Sequence, residues 1–220
     1  MNEQQEIIKS NARWTFSALS SFSDAVTSYQ QESRKIDAEE YLTNEGREKK
    51  KNDAFLILKQ KAQEVHDEIA GFLSAIRTAA LKMEGTFSIS PELQAAITLV
   101  NATGKNLDSE TRDRLWKQFI GDNSALRALK ALFESKEMYS KELEKYIIRA
   151  DEWCDSLDDL AAAFVIQPGS NLSQTVALGR KLEKFCELEG VELDKPFVEY
   201  LGAENYSQFY TDQLREALGI

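Results

Sequence analysis

The chain has 220 residues, of which 42% are hydrophobic and 29% charged, enough for one large core or two small ones. Its 37 Asp and Glu outnumber its 27 Lys and Arg, and the formal charge of −10 disfavours direct binding to nucleic acid or to an anionic membrane. The longest apolar run is seven residues, at 160–166, and the N-terminal residues are acidic and polar, without a basic stretch that leads into an apolar one. We therefore expect no membrane span, no secretory signal and a cytoplasmic location.

The first part of the chain predicts two long helices that form an antiparallel hairpin. Apolar residues from Ile8 to Tyr29 recur at helical spacing, and Ile36 extends the same face by one heptad, which indicates a helix over residues 3–36. Thr43 is the expected N-cap of a second helix over residues 45–84. Because the connection between them is short, we expect the two helices to pack against each other.

The second helix carries an apolar seam with a 3.5-residue period, which is typical of a face that packs along a partner helix. Its members alternate three and four residues apart, and they are Phe55, Leu58, Ala62, Val65, Ile69, Phe72, Ile76, Ala79 and Met83. The sequence allows this seam to close on the first helix or between two chains, and the second case predicts a homo-oligomer. The candidate interaction residues on this seam are Phe55, Leu58, Val65, Ile69, Phe72 and Ile76.

A domain boundary is predicted between residues 89 and 90. Gly85 is placed to end the second helix, and Ser90, Pro91 and Glu92 supply an N-cap hydroxyl, a first-turn proline and a first-turn acid for the next one. The hairpin would then occupy residues 1–89. An acidic multi-helix bundle would occupy residues 90–220.

The predicted bundle consists of several short helices and one long one. The spans are 91–103, 109–120, 123–135, 137–166, 171–189, 196–201 and 204–218. The long span rests on a second seam, in which apolar residues from Leu143 through Cys154 to Phe164 are again four and three residues apart. No segment shows the sustained two-residue alternation of a β-strand, so the predicted fold class is all-α.

Sequence patterns for catalysis or metal binding are missing. The only histidine, His66, lies between Glu64 and Glu68, but helical zinc and di-iron sites require further histidines at fixed spacing. No glycine-rich phosphate loop occurs, and Cys154 and Cys186 lack paired metal-ligand spacing. We therefore expect a non-enzymatic protein without a metal or cofactor, in which both cysteines are reduced and buried.

One acidic cluster is dense enough to suggest a binding surface. Five carboxylates fall within nine residues without an intervening Lys or Arg, and they are Asp151, Glu152, Asp155, Asp158 and Asp159. On a helix most of them would occupy neighbouring faces beside the second seam. The cluster is either a solvated helix face or a docking surface for a basic protein.

Residues 41–47, with the sequence YLTNEGR, and the charged helix that follows resemble small helical minor structural proteins of tailed bacteriophages. The resemblance covers residues 41–84 and rests on an aromatic, a hydroxyl, a glycine and a basic residue at the start of a long helix. It implies an assembly role and a location in the host cytoplasm or the virion. It transfers no functional residue to this chain.

Two functions of different classes follow from these observations. The first is a non-enzymatic helical assembly protein, such as a phage structural or scaffold component, in which the seam of the second helix drives self-association or closes the hairpin. The second is an acidic inhibitor or adaptor, for example a phage anti-defence protein or an antitoxin, that docks the five acids in a basic groove of another protein. Both predict protein partners, with no direct contact to nucleic acid or membrane.

Overall fold

The computed structural model describes residues 2–85, 89–138, 140–168 and 173–201. Within these ranges the regular structure is entirely helical, which confirms the predicted all-α fold class. The α-helices are α1 (Glu3–Ala38), α2 (Asn44–Gly85), α3 (Pro91–Thr103), α4 (Ser109–Lys117), α5 (Asn123–Ser135), α6 (Lys141–Glu144), α7 (Ala150–Ile166) and α8 (Ser173–Leu188). Two 3₁₀ turns span Gly104–Asn106 and Phe197–Glu199. The predicted helix over 204–218 lies outside the described residues.

The two long helices of the predicted hairpin begin at well-formed caps. The Asn2 side chain accepts a hydrogen bond from the Gln5 N–H at 2.9 Å, and the Gln5 side chain accepts one from the Asn2 N–H, so the two residues form a capping box. At the start of α2, the Thr43 hydroxyl accepts from the Gly46 N–H at 3.1 Å, which confirms Thr43 as a capping residue. α1 and α2 pack against each other, which confirms the hairpin.

Most of the seam of α2 closes within the chain, but Phe72 is only partly buried, and Leu73 beside it is 1% exposed in its place. Leu58, Val65, Ile69 and Ile76 are each at most 3% exposed and belong to one apolar cluster with residues of α1, α7 and α8. α7 lies against α2, and α8 lies against α1 and α7. The Phe22 ring, from α1, is 5.1 Å from the ring of a buried phenylalanine on α7. The hairpin is therefore two of the four helices of a larger core.

A second, smaller apolar cluster is built from α3 to α6. At its centre Trp116 is fully buried, its ring lies 5.2 Å from the Tyr146 ring, and its Nε1 donates to Asp113 at 3.1 Å. This cluster begins just after the boundary predicted at residue 90. The residues of the predicted second domain contribute to both clusters, because α7 and α8 return to the hairpin.

The predicted continuous helix over 137–166 is wrong, because residues 145–149 separate α6 from α7. The backbone of Ile148 is bound by side chains from α5 instead of by its own helix. Its N–H donates to the side-chain Oδ1 of Asn123 at 3.2 Å. Its carbonyl accepts from the side-chain Nδ2 of Asn123 at 2.8 Å and from the guanidinium of Arg127 at 2.7 Å. These bonds satisfy the N–H and C=O groups of Ile148, which have no helical partners because the helix is broken there.

Gly179 of α8 allows the second 3₁₀ turn to pack directly on the helix. A Cβ at this position would collide with the ring of Phe197, which is fully buried and lies 5.1 Å from the Phe16 ring. We expect Gly179→Ala to lower the free energy of unfolding by about 1–3 kcal/mol, because the ring must shift inside a packed core. Urea unfolding followed by circular dichroism measures this loss.

Gly71 of α2 provides the matched control for this prediction, since a Cβ there would meet nothing within 4 Å. We expect Gly71→Ala to raise the stability by up to about 1 kcal/mol, which is the ordinary gain in helix propensity. Equal stability of the two alanine variants would contradict the close contact between Gly179 and Phe197.

Candidate interaction surfaces

The five acids of the predicted cluster all lie on α7, where an arginine of α2 meets two of them. Arg77 donates to Asp155 at 2.6 Å and to Asp158 at 2.8 Å, and its side chain is 32% exposed. The hydrogen bond to Asp155 raises the pKa of the guanidinium, partial burial opposes this, and the bond to Asp158 adds to it. Arg77 therefore joins α2 to α7 as well as neutralising part of the cluster.

A second arginine neutralises the N-terminal part of the cluster. Arg149 lies 3.4 Å from Asp151 and 2.8 Å from Glu152, at the start of α7. Asp159 has no ion-pair partner within the described part of the chain. Five carboxylates and two guanidiniums leave a surface with a formal charge of about −3. The structure thus brings the predicted acids together, and their role in binding a partner stays a prediction.

The two cysteines are buried, and the histidine is partly exposed. Burial raises the pKa of Cys154 to about 11 and that of Cys186 to about 12, so both thiols are protonated at neutral pH. His66 lies 3.0 Å from Asp67, and this hydrogen bond lowers the pKa of the Asp67 carboxyl. Among the described residues, no group of three or more His, Cys, Asp or Glu side chains is arranged to hold a metal ion.

The hairpin extends past the helices that cover it. At about 1.5 Å per residue, α1 and α2 are roughly 54 and 63 Å long, whereas α7 and α8 are each about 25 Å long. α7 starts beside Glu84, where the Ala150 N–H donates to the carboxylate at 3.0 Å, and Ala161 lies beside His66. Residues 27–62, which we call the hairpin arm, therefore reach beyond the ends of α7 and α8.

The hairpin arm carries large apolar side chains on its outside. Tyr41 at the turn is 100% exposed, and Leu56 and Ile57 on α2 are 54% and 72% exposed. On its inside, the Phe55 ring lies 5.9 Å from the Tyr29 ring. The seam prediction missed the exposed pair because it selected only residues that face a partner helix. The available signal was the unbroken apolar run 55–58, which is wider than a helix face that packs on one neighbour.

The hairpin arm also differs from the rest of the chain in charge. It contains eight Lys and Arg against seven Asp and Glu, whereas the remaining residues contain 19 against 30. Lys50 and Lys51 pair across the arm with Glu39 at 2.8 Å and Asp37 at 2.6 Å, so two of its lysines serve the hairpin itself. The arm carries a formal charge of +1, so the whole acidic excess lies elsewhere in the chain.

A shallow groove on the outer side of α1 forms a third surface. Its lining residues are Arg13, Trp14, Ser17, Asp194, Lys195 and Tyr200. Trp14 is 60% exposed, and the Lys195 ammonium lies 4.1 Å from the centre of the Tyr200 ring. Trp, Tyr and Arg are the residue types that dominate binding energy at protein interfaces. The groove could not be located from the sequence, because α1 and the second 3₁₀ turn meet only in the folded chain.

None of the helices in the described ranges combines the length and the apolar character that a membrane crossing requires. Comparison of the chain with protein-family models, with curated proteins and with solved structures finds no match.

Proposed function

We propose that this chain is a non-enzymatic helical assembly protein whose hairpin arm packs against a second copy of the chain. The observation that carries the proposal is the exposed pair Leu56 and Ile57 on an arm that extends beyond α7 and α8. Fully burying one such side chain is worth about 1.5–3 kcal/mol. Two adjacent ones on a long rigid helix pair therefore offer a compact apolar anchor for a partner.

The charge distribution supports a second copy as that partner. The remainder of the chain has a formal charge of −11, so two copies repel each other wherever these acidic surfaces meet. The hairpin arm carries a formal charge of +1 and can approach the acidic surface of another copy without this repulsion. Contact between the arm of one copy and the core of the next is thus the arrangement that the charges favour.

A structural or scaffold role in a tailed bacteriophage is part of the same proposal. It rests on the resemblance of residues 41–84, which include the turn of the hairpin arm and most of α2. Co-purification of the chain with virion or capsid proteins, lost when the arm is altered, would support this role. Assembly of the chain in the absence of any phage component would support self-association alone.

An acidic inhibitor or adaptor is the second candidate function, and the charge of about −3 on α7 favours it. A basic partner would have to compete with Arg77 and Arg149, which already pair with four of the five acids. Such binding should weaken steeply as the salt concentration rises. Replacing the five acids by their amides should then remove both the binding and its salt dependence.

The double substitution Leu56→Asp with Ile57→Asp is expected to abolish self-association. Both side chains are exposed, so the fold should be kept, while two charges would oppose burial of the anchor. Light scattering at several protein concentrations measures the molar mass of the wild-type chain and of the variant. Circular dichroism confirms that the variant keeps its helices.

Asn52→Asp with Gln60→Asp is the matched control, because it adds the same charge at exposed polar positions of the same helix. This control should still associate, although its two added charges should weaken the association at low salt. A wild-type chain that is monomeric at every concentration, or an equal loss of association in both double variants, would contradict the role of the apolar pair.

A further inference from the structure

A polar junction attaches the small α3–α6 cluster to the four-helix core. Near the end of α2, the Glu84 carboxylate accepts from Arg127 of α5 at 2.6 Å and from the Ala150 N–H of α7 at 3.0 Å. Arg127 also donates to the carbonyl of Ile148 in the connection between α6 and α7. Glu84 thus holds together one helix of the small cluster and two helices of the core.

A second carboxyl group, that of Glu189, is buried beside this junction. Glu189 directly follows α8 and is 1% exposed, and its Oε1 has no hydrogen-bond partner within the described ranges. Two contacts hold its backbone in place. The Gln5 side chain donates to the Glu189 carbonyl at 3.2 Å, and the next residue, Gly190, packs on Gly121. Gly190 adopts a φ of +66°, which favours glycine, so the turn that places Glu189 is specified by the sequence.

Within the described ranges, the titratable and charged groups that interact electrostatically with Glu189 lie on four helices. They are Glu84 from α2, Arg127 from α5, Cys154 from α7 and Cys186 from α8. The pKa of Glu189 is raised to about 7, mainly by burial and also by the neighbouring Glu84 charge, while Arg127 acts in the opposite direction. The net environment therefore disfavours the ionised carboxyl in the closed junction.

We propose that Glu189 is a proton-controlled latch, whose neutral carboxyl keeps the α3–α6 cluster closed on the core and whose ionised carboxyl loosens the junction. Ionisation would place a second negative charge near Glu84 without a hydrogen bond to compensate it. Opening the junction lets water solvate that charge. This inference is independent of the hairpin arm and of self-association.

The direction of the pH dependence follows from the two protonation states. The closed junction binds a proton more tightly than a solvated Glu, so its stability is complete below the ordinary Glu pKa and falls as the pH rises towards about 7. Above that value the Glu189 carboxyl is ionised in both the closed and the open state, so the stability no longer changes with pH. Between about pH 6 and about pH 8, the opening equilibrium should increase about tenfold.

Hydrogen exchange measured by mass spectrometry tests this latch on the full chain at these two pH values. After correction for the intrinsic pH dependence of exchange, peptides that cover residues 148–150 should lose about tenfold protection at the higher pH. Glu189→Gln should remove this loss, since its amide does not titrate. Glu187→Gln should keep it, because Glu187 is an exposed acid of α8 that pairs with Lys184.

A second variant separates a titrating latch from a merely structural role. Glu84→Gln removes the repelling charge and frees Arg127, so the midpoint of the loss should move to lower pH. An unchanged pH response in Glu189→Gln would overturn the proposal. It would also be overturned if amides at residues 12–26 of α1 lost protection to the same extent, because Glu189 would then act on the whole fold.

Discussion

Replacing Val65 by aspartate is expected to unfold the four-helix core. Val65 is 1% exposed and packs in the seam of α2 against α1 of the same chain. A carboxylate there would lose its hydration without gaining a partner, so we expect a loss of at least about 4 kcal/mol in the free energy of unfolding. Folded domains have a free energy of unfolding of roughly 5–15 kcal/mol, so this loss is a large share of it. Thermal and urea unfolding followed by circular dichroism would measure the loss.

Ile57→Asp supplies the matched control on the same helix. Ile57 is 72% exposed on the outside of the hairpin arm, so at protein concentrations at which the chain is monomeric the same substitution should change the stability by about 0.5 kcal/mol or less. Equal stability of the two aspartate variants would mean that the seam is not closed inside the chain. The comparison therefore tests the intramolecular hairpin directly, without reference to any partner.

The hairpin could be predicted because local and tertiary signals agree along it. The spans predicted from the sequence, 3–36 and 45–84, end within two residues of α1 and α2. The capping residue Thr43 and the apolar period of α2 each depend only on nearby residues, and the packing of α1 on α2 uses the same apolar face. The sequence could not decide whether the seam closes within one chain, since an identical seam could also close between two chains.

The break between α6 and α7 could not be predicted from spacing. Apolar residues continue at helical intervals from Leu143 to Cys154, yet Leu143 belongs to the small cluster and Cys154 to the large one. The break depends on Asn123, which is 25 residues away from Ile148 and binds both of its backbone groups. A side chain that competes for a distant backbone leaves no local pattern in the sequence.

The candidate surfaces could be predicted only where their residues are close together in the sequence. The acidic residues of α7 are adjacent in the chain, so their cluster could be located, but its pairing with Arg77 depends on a residue 78 positions from Asp155. Nothing local distinguishes the buried Glu189 from Glu187, which is 61% exposed at its side chain. Their difference arises only in the folded chain, where the turn after α8 packs on Gly121 and Glu189 interacts with the charges of Glu84 and Arg127.

Replacing Trp116 by alanine is expected to melt the α3–α6 cluster while the four-helix core stays folded. Trp116 is the largest fully buried side chain of the chain's described part, and its ring packs on Tyr146. Truncating a buried Trp to Ala costs about 3–5 kcal/mol. Among the residues that the structure describes, the small cluster has 11 buried apolar residues and the larger one has 30, so the small cluster has little stability in reserve.

Hydrogen exchange resolves where the loss from Trp116→Ala falls. Protection should collapse in residues 91–135 and persist in residues 12–26 of α1, because the two regions belong to different apolar clusters. Trp14→Ala is the control, since Trp14 is 60% exposed and its removal should cost less than about 1 kcal/mol. Equal loss of protection in both regions would show that the junction at Glu84 and Arg127 couples the clusters into one cooperative unit, and the separate melting predicted here would be wrong.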